Sequence, residues 1–335
     1  MHALARLGRR LRPLVPLAGL AVVAYLVWEV GPEHVWDTVR TLSWRLGLVL
    51  LVPYGVTTTI DTVAWRLAFP DRRAPFPATW AARIAGEAVN LLTPTASVGG
   101  EPVKAYLLRP WVPLSQGLVA VLVDKTTIVC GQGLFLVLGL VLAATLVSVP
   151  GPLVTAMMIL LALEALAVVG FILAQVRGVA GGAGRLLARF GVGLDAGAQA
   201  KLEGIDRLIA DLYARRAPRL AAAAVCHFCA WTLVSMEIYL VLTFAGLPIT
   251  PLTAILMESF GTAVKFATFV IPGSLGALEG GNVAIFAGLG FGGATGLSYT
   301  LIRRLREALW AGIGMAAMAV LSSDRVTAGA GRADE

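Results

Sequence analysis

The chain has 335 residues, of which 58% are hydrophobic and only 14% charged, with a mean hydropathy of +0.80. A water-soluble domain carries roughly a quarter charged residues, so this composition excludes one with an ordinary hydrated surface. The net charge of +7 would suit nucleic acid, but the basic residues lie between long apolar blocks, where they set membrane orientation instead.

Residues 1–12 carry Arg6, Arg9, Arg10 and Arg12, and an apolar run follows from Pro13 to Val30. The following WEVGPEHVW has no small-residue cleavage site, so the run reads as a retained first span rather than a signal peptide. A second span covers 46–69. Residues 78–109 are apolar but interrupted by Pro94, Gly99, Gly100 and Pro102, which predicts a broken helix. Spans at 114–149 and 152–174 flank the short turn SVPGP. After the polar segment 175–219 come a span at 220–245, a second broken segment at 251–291 containing VIPGSLGALEGG, and a final span at 294–321. The segment 175–219 is net positive and therefore cytoplasmic. With six full spans and two re-entrant hairpins, every basic cluster falls on that side. The fold expected is an all-α integral membrane protein: one polytopic domain over 1–323 in a bacterial-type inner membrane. Both termini are cytoplasmic, and 324–335 forms a disordered tail.

The broken segments share a pattern. Glu101 follows Pro94 by seven residues, and Glu279 follows Pro272 by seven. Downstream, GLVAVLVDK (117–125) aligns with GLSYTLIRR (296–304) after a one-residue gap. Three spans lie between the hairpins, so they enter from opposite faces, as in the inverted repeats that secondary transporters use to build mid-membrane sites. Backbone breaks survive in hydrocarbon only where protein or a wet cavity surrounds them.

The apolar region also holds many charges. These include Asp61, Arg83, Glu87, Glu101, Lys104, Asp124, Lys125, Glu164, Glu237, Glu258, Lys265, Glu279, Arg303, Arg304, Arg306 and Glu307. Each would cost roughly 2.5–3.5 kcal/mol at mid-bilayer, so they pair or line a hydrated cavity. Arg83–Glu87 and Arg303–Glu307 have the spacing of local helical pairs. Lys125 and Arg304, equivalent in the repeat, are expected to face one site near the hairpin tips. CHFC (226–229) has metal-like spacing, but the other histidines, His2 and His34, are remote, so small packing thiols are the better reading. GLGFGG (288–293) follows no strand and reads as a turn. Trp28, Trp36, Trp44, Trp65 and Trp111 fall near span ends, as interfacial anchors do.

The motifs GEAVNLLTPTASVGGEPVKAYLL (86–108), PGSLGALEGGNVAIFAGLG (272–290) and LIRRLRE (301–307) resemble the lysylphosphatidylglycerol synthetase-type transmembrane family, also called flippase-like membrane proteins. DTVAWRLAFP (61–70), the Glu237 span and the RRLRE helix are similar to the subgroup associated with hopanoid biosynthesis. The family's PGGLG is PGSLG here, a change tolerated if Ser274 need not have φ > 0. The synthetase's aminoacyl-transfer domain would follow the last span, where only SSDRVTAGAGRADE stands, so aminoacyl transfer is not expected. The resemblance implies a lipid translocase or carrier for an anionic or polyisoprenoid-type amphiphile, rather than an enzyme, with no cofactor. Its partners are membrane lipids and lipid-biosynthesis enzymes, not nucleic acid. Glu87, Asn90, Glu101, Lys104 and Tyr106 line the inner hairpin, and Lys265, Glu279 and Asn282 the outer one. Lys125 and Glu237 complete the polar lining, and Arg83, Arg303, Arg304 and Arg306 suit a phosphate. An assembly scaffold and a membrane-embedded lipid-modifying enzyme remain the alternatives.

Overall fold

The computed structural model describes residues 28, 33, 36, 37, 40, 42–71, 73–93, 99–146, 151–178, 181–182, 196–268 and 271–330. These residues form helices and connecting turns, with no strand among them. The helices are α1 (Arg45–Leu67), α2 (Phe76–Leu92), α3 (Gly100–Leu107), α4 (Leu114–Leu146), α5 (Gly151–Val176), α6 (Ala196–Arg215), α7 (Ala217–Val234), α8 (Met236–Phe244), α9 (Pro251–Ala267), α10 (Ala277–Gly288) and α11 (Gly293–Ala330). Five helical stretches have the length and apolarity to cross a bilayer: Arg45–Leu67, Leu114–Thr145, Val154–Val176, Ala217–Phe244 and Gly293–Ser322. They match five of the six full spans expected. Of the sixth, at 13–30, only Trp28 is among the described residues, and the basic stretch 1–12 and Pro94 lie outside them. The protein is an all-α, multi-pass membrane protein.

Sequence chemistry explains the exterior. On α5, Met158, Ile159, Leu163, Leu166, Val169, Phe171, Leu173 and Val176 are exposed, an apolar surface that suits lipid and not water. Trp28, Trp36, Trp44 and Trp111 are exposed, but Trp65 is fully buried and packs on Phe69 at 5.6 Å between ring centroids. It is a core residue, not an anchor. The polar segment 175–219 contains α6, whose Ile209 and Leu212 join the core beside α4. The last helix runs to Ala330, past residue 324, where the tail was expected to begin.

Both interrupted segments are pairs of helices, α2–α3 and α9–α10. The second break contains a 3-10 turn at Pro272–Ser274, with positive φ at Gly273 (60°), Ser274 (49°) and Gly276 (80°). Ser274 therefore occupies the left-handed region, so the condition for a cost-free change from glycine is not met; its N–H donates to Ile271 O within the turn. GLGFGG forms the turn between α10 and α11, with Gly290 and Gly292 at positive φ.

The packing relates the two broken segments. Helix α2 packs on α11 and α3 on α4; α9 packs on α4 and α10 on α11. Exchanging α2–α3–α4 with α9–α10–α11 maps these contacts onto one another. Two apolar clusters result, one around α2, α3 and the first half of α4, the other around α9, α10 and the start of α11.

Candidate functional site

Helices α2 and α3 cross at glycine. A Cβ on Gly100 would fall on the Gly86 carbonyl oxygen and stand 2.9 Å from Asn90 Cγ. This approach lets Asn90 Oδ1 accept from Gly100 N–H at 2.7 Å, capping the start of α3, while Asn90 Nδ2 donates to Glu101 Oε1 at 3.2 Å. Lys104, 1% exposed, then reaches Glu87 at 2.6 Å and Glu101 at 3.2 Å, and Lys125 from α4 reaches Glu101 at 2.8 Å. A second cluster stands beside it. Arg83 meets Asp124 at 3.2 Å and Asp61 at 3.7 Å, and His227 lies between the same two aspartates.

The second half repeats the plan with other residues. Glu279 accepts from Gly276 N–H at 2.7 Å, closing the start of α10, and its other oxygen takes Arg304 Nε at 2.8 Å. Arg303 donates to both oxygens of Glu258 at 3.0 and 2.9 Å, and to Tyr299 Oη at 2.9 Å. Arg306 lies 3.2 Å from Glu237, though off hydrogen-bond geometry. Glu307 is shared by Arg304 at 2.8 Å, Lys265 at 3.5 Å and Arg306 at 4.0 Å. Asn282 donates to Thr300 at 2.8 Å.

These contacts correct two expected pairs. Arg83 does not bond Glu87 four residues on, because carboxylates from α1 and α4 converge on its guanidinium while Lys104 takes Glu87. Arg303 does not bond Glu307, because Glu258 offers it both oxygens across the helix interface. Tyr106 also leaves the polar group. It is 45% exposed, lies under the Arg109 guanidinium at 4.0 Å, and lines an open apolar groove of about 420 Å³ with Pro102, Val103, Leu114 and Leu118. The other candidates lie in the two networks, except Asn282, whose amide bonds Thr300. Lys125 and Arg304 each bridge to the hairpin glutamate of their own half.

The halves meet at their breaks. A Cβ on Gly273 would stand 3.6 Å from Arg304 Nη1 and 3.9 Å from Leu91 Cδ1, near the end of α2. Tyr54 on α1 lies in the field of Glu87, Arg83 and Asp61 from one half and Arg306 from the other, with the Arg306 guanidinium 4.9 Å from its ring centroid. Each network holds four carboxylates among the described residues. Asp61, Glu87, Glu101 and Asp124 face Arg83, Lys104, Lys125 and His227; Glu237, Glu258, Glu279 and Glu307 face Lys265, Arg303, Arg304 and Arg306. Not all are sealed. The side chains of Glu87, Lys125, Lys265 and Asp61 retain 34%, 30%, 32% and 27% exposure.

Asp61, Asp124, Glu258 and His227 were not among the expected site residues. The three carboxylates were visible as charges in apolar helices. His227 was obscured by its neighbours Cys226 and Cys229, which drew attention to metal spacing.

Residues 15–313 match the family model described as the lysylphosphatidylglycerol synthase TM region. The chain belongs to that family. It is 24% identical over 310 residues to a UPF0104 membrane protein of Methanothermobacter thermautotrophicus, covering 86% of this chain and 88% of the relative. It is 25% identical over 314 residues to a UPF0104 membrane protein of Pyrococcus horikoshii, covering 87% and 91%. No solved structure matches this member of the synthase TM family. Membership brings a membrane, lipid-related role, and part of each charge network lies in the motifs that carried the resemblance.

Proposed function

We propose that this protein translocates or carries an anionic or polyisoprenoid-type amphiphile, such as a hopanoid-linked lipid, and does so without transforming it. The observation that supports this most is the pair of charge networks built on two broken segments, with Lys125, Lys265 and Glu87 still partly exposed. A phosphate or carboxylate headgroup can replace Glu101 on Lys125, or Glu307 on Lys265, because both lysine side chains are partly exposed. The buried arginines Arg303 and Arg306 hold the frame. Re-entrant hairpins entering from opposite faces would place the exchange near mid-membrane depth. The positive-inside rule orients the 175–219 segment and both termini to the cytoplasm of an inner membrane.

The closure of nearly every charge on a protein partner favours a second reading, an assembly scaffold for lipid-biosynthesis enzymes. The test is redistribution of fluorescent phosphatidylglycerol in proteoliposomes carrying Glu101→Gln or Lys125→Ala. Normal membrane accumulation with redistribution slowed tenfold or more supports translocation. Unchanged redistribution in both variants removes these residues from the lipid path.

A further inference from the structure

The first network contains three permanent cations against four carboxylates, whereas the second has four against four. The difference is His227. Its ring is fully buried on α7, with Nδ1 2.7 Å from Asp61 Oδ1 and Nε2 3.1 Å from Asp124 Oδ1. An ionised carboxylate only accepts hydrogen bonds, and a neutral imidazole has one N–H. Two carboxylates can both be satisfied by this ring only when both nitrogens carry hydrogen. The backbone fixes it in place, since a Cβ on Gly131 of α4 would stand 2.7 Å from His227 Cβ. The charged groups facing it are Asp61 from α1, Asp124 from α4 and, through those aspartates, Arg83 from α2. From α6 and α8 no ion pair reaches it among the described residues.

We infer that Asp61, His227 and Asp124 form a buried proton-binding site in which the His227 imidazolium is the exchangeable fourth cation of the first network. Histidine is the side chain whose ordinary charge change falls near neutral pH, so one proton on this ring decides whether the first network is balanced. The proton enters and leaves at Asp61, whose side chain is 27% exposed, whereas that of Asp124 is 3% exposed. On release, the Nδ1–H bond breaks and its electron pair stays on the ring. The proton passes to Asp61 Oδ1 and then to water. One carboxylate is then uncompensated beside Arg83, which alters the hold of α2 on α1 and α4. If lipid passes as proposed above, this proton is what its passage is linked to; the proton site itself does not depend on that reading.

The sequence has three histidines, so an H2Q/H34Q protein carries His227 alone. Nitrogen-15 NMR of that protein, histidine-labelled and held in lipid nanodiscs at pH 7.5, reads the ring directly. The expected spectrum has two protonated ring nitrogens, and Asp124→Asn or Asp61→Asn converts it to one protonated and one bare nitrogen. A bare nitrogen in the parent spectrum at pH 7.5 would overturn the proposal, whether or not either variant folds. Redistribution of fluorescent phosphatidylglycerol under an imposed pH gradient separates the two claims. With the imidazolium spectrum in hand, a rate that ignores the gradient leaves the proton site standing and removes its link to lipid.

Discussion

At Ser274 the chain accepts a conformation that glycine would adopt without steric cost. Its φ of 49° lies where an L side chain is disfavoured by roughly 1 kcal/mol. Ser274→Gly should raise stability by about 0.5 kcal/mol, because relief of strain exceeds the added freedom of the unfolded chain; thermal unfolding in detergent will show a higher midpoint. Glu164 is a different case. It is 1% exposed on α5, and neither carboxylate oxygen has a hydrogen-bond partner among the described residues. A charge there is unsupported, so Glu164→Gln should accumulate and melt like the parent protein. A large loss of stability would show that its charge is used. By contrast, Arg303→Met leaves Glu258 buried without its cation and should cost about 3–5 kcal/mol. At this scale the sequence reported which side chains were charged in apolar helices but not their partners. For Arg83 and Arg303, carboxylates brought by other helices prevailed over the acid four residues on.

Helix pairing follows from small residues where backbones touch. The GEAVN and GGE stretches place Gly86 against Gly100, and a larger side chain at either must push α2 and α3 apart. Gly100→Val should therefore reduce folded yield sharply and abolish redistribution. Gly280→Ala, where a Cβ meets nothing within 4 Å, should behave like the parent. Two buried interhelical pairs also mirror each other with reversed sign. Arg83 on α2 pairs with Asp124 on α4, and Glu258 on α9 pairs with Arg303 on α11. A double-mutant cycle that neutralises Glu258 and Arg303 should give a coupling of a few kcal/mol, because residues in direct contact are not additive. Five of the six span positions, both breaks and the glutamates following them were legible in the sequence, since hydropathy and breaks in the helical pattern report backbone state directly. The sign-reversed pairs were not, because the alignment of 117–125 with 296–304 stops short of α2 and α9, where Arg83 and Glu258 lie.

At the level of the whole molecule, an apolar exterior surrounds two charge networks, and Gly273 brings Arg304 of the second close to Leu91 at the end of α2. Orientation has its own check. With Cys130, Cys226 and Cys229 replaced, Lys201→Cys on α6 should react with a membrane-impermeant thiol reagent only after lysis; labelling of intact cells would place α6 outside and reverse the topology. Function turns on whether lipid crosses. The purified protein, reconstituted into liposomes with fluorescent phosphatidylglycerol and treated with an impermeant quencher, gives the direct answer. The account predicts that quenching passes beyond the outer-leaflet half and approaches completion without any new lipid product. Quenching that stops at the outer leaflet, as in protein-free liposomes, would contradict it.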